Sequence, residues 1–252
     1  MVRPSSVAAA LLAAFLAGTA ALPASAAEPL DRKAVEQIVR EYLLANPEII
    51  LEAVQALEKK QQDESAAATV EAIRSNREQL TASKASPVLG NPKGDLVLVE
   101  FFDYQCGYCK HSQPERNAAL KEDGKVKLVL KEFPILGPGS VVATKAALAA
   151  RAQDRYAPLH EALMQHQGRL DEETVMQIAE KAGLDMAKLR KDMESESVQA
   201  EIDANLALAR QLGIQGTPAF VIGDTLVPGA IEKDTFLELF KNARAAAKEK
   251  QG

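Results

Sequence analysis

Both cysteines of the 252-residue chain fall in one stretch, Glu100-Phe101-Phe102-Asp103-Tyr104-Gln105-Cys106-Gly107-Tyr108-Cys109-Lys110, three positions apart. A pair this close cannot staple distant segments, so a hydrophobic core alone must hold the fold, and 47% apolar residues supply one. An apolar run from Leu96 to Phe102 enters the pair and a polar, helix-compatible segment leaves it. Cys106 is therefore predicted at a helix N-terminus, where backbone N–H groups and the helix dipole lower a thiol pKa from about 8.5. Cys109, one turn on, faces the same side and lies deeper, placed to attack a mixed disulfide from within. The spacing predicts a redox centre with Cys106 as nucleophile and Cys109 as resolving thiol. Half of a zinc site, an inert disulfide and two core cysteines are the alternatives. Zinc requires about four ligands, and the chain adds only His111, His160 and His166. His111 reads as a solvated helix residue.

The N-terminus carries Arg3, an apolar run over 7–22 and then Ala24-Ser25-Ala26. These are the charged, apolar and small-residue parts of a secretory signal over 1–26, and the run is shorter than the roughly 20 residues of a membrane span. An exported protein is expected. The net charge of −5, with no basic stripe, argues against nucleic-acid binding.

Residues 31–62 read as helix, with a restart at Asn46-Pro47 and apolar stripes such as Val35, Ile38, Val39 and Tyr42, then Ile50, Val54 and Leu57. A helical arm over 27–82 with so few large residues must dock on its own domain or on other copies of the chain, and self-association is favoured. The Pro- and Gly-rich segment 83–95 reads as a linker. From residue 96 the pattern becomes strand 96–102, helix to about 122, turn at Asp123-Gly124 and strand 126–132, a β-α-β unit. Residues 140–212 are helical in pattern. A hairpin across Gly223-Asp224 and a last helix over 232–248 follow.

Glu100 stands six positions before Cys106, Lys110 follows Cys109, Pro114 sits in the following helix, and Gly216-Thr217-Pro218-Ala219-Phe220 lies downstream. With the cysteine pair, these residues resemble the thioredoxin superfamily. The resemblance implies an α/β thioredoxin fold over 96–252, with a helical insertion at about 139–212 between its βαβ and ββα halves and the helical arm ahead of it. It also implies that Glu100 moves a proton to or from Cys109, and that Thr217 and Pro218 form a cis-proline loop facing the pair and binding extended substrate. A carboxylate in an apolar strand is costly unless hydrogen-bonded or used; pairing with Lys131 is the other way to satisfy it.

The insertion places the resemblance in the DsbA-like branch, and Tyr42-Leu43-Leu44-Ala45-Asn46-Pro47-Glu48 resembles the arm of ScsC-type and Com1-like envelope proteins. Gly107 and Tyr108 put no cation between the cysteines, where DsbA has a proline and a histidine, so Cys106 is expected to be less acidic than in DsbA. Cys-Gly-Tyr-Cys with Thr217 before the proline is similar to the isomerase DsbC. The resemblance implies a periplasmic disulfide isomerase or reductase, homo-oligomeric through its arm and with a trimer favoured. Its partners would be cysteine-bearing protein substrates and a membrane redox protein, with no metal and no cofactor beyond the Cys106–Cys109 disulfide. A dithiol oxidase and a Cu(I)-binding copper-tolerance module are the alternatives.

Overall fold

The computed structural model describes residues 31–249; the signal segment expected over 1–26 lies outside them. The chain divides into two compact units, Met1–Leu57 and Glu58–Gly252.

In the first unit, α1 (Arg32–Ala45) starts at Asp31, whose side chain accepts from the Lys33 amide, and stops at Asn46, whose side-chain amide donates to Tyr42 O at 2.9 Å. Pro47 then restarts the chain into α2 (Glu48–Ser75), which begins in the first unit and ends in the second. No residue of α1 is buried, and Ile38, Val39, Tyr42, Ile50 and Leu57 are exposed.

The second unit is built on a five-stranded sheet of order β1-β3-β2-β4-β5, with β1 Val88–Gly90, β2 Leu96–Phe102, β3 Val126–Glu132, β4 Ala219–Ile222 and β5 Thr225–Pro228. β2 and β3 run parallel, joined by α4 (Gly107–Asp123), and β4 pairs antiparallel with β2 and with β5. α10 (Lys233–Glu249) follows β5, and the helices α5 (Pro138–Ala150), α6 (Tyr156–Gln165), α7 (Glu172–Lys181), α8 (Met186–Met193) and α9 (Glu196–Gln211) lie between the two halves. This is the thioredoxin fold with a helical insertion that the resemblance implied.

Alternation along the strands sends side chains to two cores. Leu96, Leu98 and Phe102 of β2 and Phe220 and Ile222 of β4 face one, with α10 contributing Phe236 and Phe240. Val99, Phe101, Val129 and Val221 face the other, with Ile73, Leu80, Leu208 and Leu212. Each such side chain, taken fully from water, contributes on the order of 1.5–3 kcal/mol.

Two expected boundaries shift. The arm expected over 27–82 does not stay outside the second unit, because Ile73 at the end of α2 and Leu80 in α3 (Arg77–Thr81) are buried in its second core. The expected linker 83–95 contains β1, paired antiparallel with β3 in the register Val88↔Val129. Its glycines read as loop, but Gly90 supplies a backbone turn at φ 66°, and a Cβ there would lie 2.8 Å from Val126 O. Among the described residues no helix is long and apolar enough to cross a membrane.

Candidate active site

β2 delivers the chain to the site through Asp103, which is buried and fully engaged. Its Oδ1 accepts from the Gln105 amide and the Ser140 hydroxyl, both at 2.7 Å, and its Oδ2 from the amides of Ile135 and Leu136 at 2.9 and 3.0 Å. These bonds tie the turn ahead of the cysteines to the start of α5. Cys106 is then the N-cap of α4, in extended backbone, and its Sγ accepts from the Cys109 amide at 3.2 Å.

The Thr217-Pro218 peptide is cis and lies at the head of β4, whose register sets Ala219 beside Phe101 of β2. The cysteine turn and the proline loop are thus brought together by strand pairing: the Cys106 thiol donates to Thr217 O at 3.3 Å. Gly107 and Tyr108 lie on the solvent side. A Cβ on Gly107 would meet nothing within 4 Å, and Tyr108 is 72% exposed.

The two thiols are free and chemically unlike. Hydrogen bonding from Cys109, helped by Thr217 and the amides of Cys109 and Tyr108, outweighs burial and brings the Cys106 thiol down to about 6. Burial, the hydrogen bond with Cys106 and the charge of Glu100 push the Cys109 thiol far up. Cys106 is 5% exposed and Cys109 0%, so Cys106 is the one of the two sulfurs that solvent reaches. Lys110, next in the chain, donates from Nζ to His166 O at 2.6 Å, and burial lowers its ammonium against the opposing charges of Asp103 and Cys106. Pro114 lies inside α4, and His111 is exposed.

Glu100 is fully buried, and burial raises its carboxyl above the usual range against the opposing charge of Arg116. Its partner is Arg116 on α4, through Oε2, and not Lys131. The register explains why: Lys131 stands beside Phe101, one step from Glu100, and so points to the opposite face. There its Nζ donates to Gln79 O at 2.8 Å and Ser86 Oγ at 2.6 Å, and Ser86 donates to Glu201 at 2.8 Å.

Asp103 and Arg116 were not singled out in the sequence, nor was a second buried carboxylate, Glu132. Its Oε1 accepts from Tyr104 and Tyr156, its Oε2 from Thr144, and Tyr104 also meets His160 Nδ1. Glu132 closes an apolar strand just as Glu100 interrupts one, and that shared pattern was the available signal. Among the described residues no group of three or more His, Cys, Asp or Glu is gathered as for a metal ion.

Residues 97–241 match the model of the DSBA-like thioredoxin domain, and residues 31–64 that of the copper resistance protein ScsC N-terminal domain. A thioredoxin-like oxidoreductase structure from Silicibacter pomeroyi DSS-3 is 46% identical, with a TM-score of 0.66 over 68% of this chain and 98% of that one. Proteus mirabilis ScsC, in a transitional conformation, is 34% identical, with a TM-score of 0.64 over 85% of this chain and 95% of its own. The Na(+)/H(+) antiporter NhaA 1 of Salinispora arenicola is 27% identical over 137 residues, 54% of this chain. The chain spans only about a fifth of that antiporter, 21% of its length. On the match over 97–241 and the likeness to whole solved oxidoreductases, the chain belongs to the DSBA-like thioredoxin domain family.

Proposed function

We propose that the chain is an exported, periplasmic thiol-disulfide oxidoreductase that acts on protein disulfides as an isomerase or reductase. The observation that carries the proposal is the split between the thiols: an acidic Cys106 at a helix N-terminus and a buried, strongly basic Cys109 one turn behind it. The Cys106 thiolate attacks a substrate disulfide, forming a mixed disulfide and releasing one substrate thiolate. Either another substrate thiol displaces Cys106, which rearranges the substrate, or Cys109 does so. In the second case Cys109 passes its proton to Glu100 and attacks Cys106 Sγ. The Cys106–Cys109 disulfide forms, and the substrate leaves as a thiolate that takes up a proton. Thr217 offers its backbone to the extended substrate beside Cys106.

The exposed apolar residues of α1 and early α2 support assembly of several copies, a trimer by resemblance, which would set several sites around one substrate. A membrane redox protein would reset the thiols. Refolding of a scrambled-disulfide protein by the full chain tests the proposal: yield above that of a Cys106→Ser variant supports it, and equal yield sinks it.

A second reading, dithiol oxidase, draws on the lowered Cys106 thiol, because a stabilised thiolate favours the reduced enzyme and makes its disulfide more oxidising. A high reduction potential with no gain in scrambled-substrate refolding would select it. Stoichiometric Cu(I) binding without disulfide turnover would select the copper-tolerance reading instead.

A further inference from the structure

The sheet face beneath α4 holds two buried carboxylates, Glu100 on β2 and Glu132 two register positions along on β3. They are treated differently. Glu132 is surrounded by the hydroxyls of Tyr104, Tyr156 and Thr144 and makes no ion pair among the described residues. Glu100 takes the cation, Arg116, which is 1% exposed.

The guanidinium is held from both sides. Its Nε and Nη2 donate to Asn117 Oδ1 at 3.1 and 2.9 Å, fixing one edge on its own helix, and Nη1 is left for Glu100 Oε2. The other oxygen, Glu100 Oε1, is buried and has no hydrogen-bond partner, and the Glu100 charge acts on the Cys109 thiol. Other titratable groups near this face are Cys106 on α4 and His160 and Tyr156 on α6, the histidine held neutral by burial and by Arg116. Phe220, the β4 register partner of Glu100, and Phe236 of α10 add no charge.

A carboxylic acid this deep takes the neutral form unless a cation opposes it, and a neutral acid cannot accept the proton that Cys109 must lose before it attacks. We infer that Arg116 is a positioning residue for the exchange reaction: it holds Glu100 as a carboxylate with one oxygen unengaged, so that Glu100 takes the Cys109 proton in the resolving step. The inference rests on the proposed roles of Glu100 and Cys109. The proton moves from Cys109 Sγ to Glu100 Oε1, the Cys109–Cys106 bond forms, the Cys106–substrate bond breaks, and the substrate thiolate carries off the electron pair. The substrate disulfide is the oxidant.

The test is rapid mixing of the reduced full chain with oxidised glutathione, with the decay of the Cys106–glutathione mixed disulfide followed by acid quench and mass across the acid-to-neutral range. Arg116→Met is expected to slow resolution at least about tenfold near pH 6, with the deficit shrinking as pH rises and hydroxide substitutes for the base. Arg116→Lys restores most of the rate. The thiolate absorbance titration of Cys106 stays in place, and Arg116→Met adds no further loss in a Glu100→Gln background. Identical pH profiles for wild type and Arg116→Met, or an equal further loss in the Glu100→Gln background, would overturn the inference. If Glu100→Gln itself resolves at the wild-type rate, the base role of Glu100 fails first. If it is slow while Arg116→Met is not, only the role of Arg116 fails. Should Arg116→Met not fold, the infrared band of Glu100 in the wild-type protein, assigned by difference against Glu100→Gln, decides. A carboxylate band near pH 6 supports the inference and a protonated-acid band overturns it.

Discussion

The hydroxyl of Tyr104, two positions before Cys106, meets the carboxyl of Glu132 at 3.0 Å where neither residue has any exposed surface. Tyr156 adds a second hydroxyl at 2.9 Å and Thr144 a third at 3.1 Å, while His160 Nδ1 lies 3.0 Å from the Tyr104 oxygen. Because Tyr104 gives its own proton to Glu132, the contact with His160 is a hydrogen bond when Nδ1 carries the imidazole proton, and His160 Nε2 is left buried without a partner. These bonds fasten β2 and β3 to α5 and α6, so the insertion is tied to the strand that carries the cysteines.

Burial outweighs the three hydroxyls and pushes the Glu132 carboxyl up to about 8. A folded-state value above the unfolded one means stability is fully present below the unfolded value of about 4.5 and is lost as pH rises through about 8. Chemical denaturation across that window should show falling stability in the wild type and a flatter profile in Glu132→Gln. An unchanged slope in Glu132→Gln would show that another group carries the dependence.

Tyr104→Phe removes the hydroxyl shared by Glu132 and His160 and leaves both buried groups short of a partner. A loss of about 1–3 kcal/mol in unfolding free energy is expected. Because Phe102 and His160 pack edge-on against the Tyr104 ring at 5.1 and 5.6 Å, Tyr104→Ala should cost more.

Cys106, brought down to about 6, is mostly thiolate at neutral pH, and Cys109, pushed far up, is not. The rate of mixed-disulfide formation with a small disulfide should climb as pH passes about 6 and level off by about 7.5. A midpoint near the ordinary thiol value of about 8.5 would contradict the hydrogen bonding described at Cys106.

Gly139 has no room for a side chain: a Cβ there would lie 1.8 Å from Leu170 O and 3.1 Å from Gln105 Nε2. Gly139→Ala must push apart α5 and the segment before α7, at a cost of about 1–3 kcal/mol or more. Ser140, which holds Asp103, is the next residue, so the variant should lose exchange activity along with melting temperature.

Removal of residues 31–57 takes away α1 and the exposed apolar start of α2. Light scattering should show the full chain as an oligomer and the shortened chain as a monomer. Glutathione exchange at Cys106 should be retained while refolding of scrambled substrates falls. A monomeric full chain would remove the basis for the arm's role.

What the sequence displayed well were features with a short period or a fixed spacing. Leu96–Phe102 is apolar apart from Glu100 and Val126–Glu132 keeps an apolar centre at Leu128–Leu130, because both faces of those strands are covered, and Cys106, Cys109, Thr217 and Pro218 carry their own punctuation. β1 was hidden because a three-residue edge strand between prolines and glycines has the composition of a loop. Arg116 was hidden for a different reason. α4 is polar along most of its length, so a buried arginine among Glu115, Asn117 and Lys121 looks like one more solvated charge until β2 supplies the carboxylate beneath it. Lys131 was the alternative partner for Glu100 because both are charges in apolar strands, and only the strand register separates them.

The depth of Cys109 has a practical side. With no exposed surface and a thiol that resists ionisation, it should stay out of reach of bulky electrophiles while Cys106 reacts, so the native reduced protein behaves as a single-thiol reagent. Replacing Cys109 by alanine then removes the escape route. It also removes the side-chain hydrogen bond that does most to lower the Cys106 thiol, so adducts should form more slowly. Client proteins should still accumulate as stable adducts on Cys106 that can be purified and sequenced.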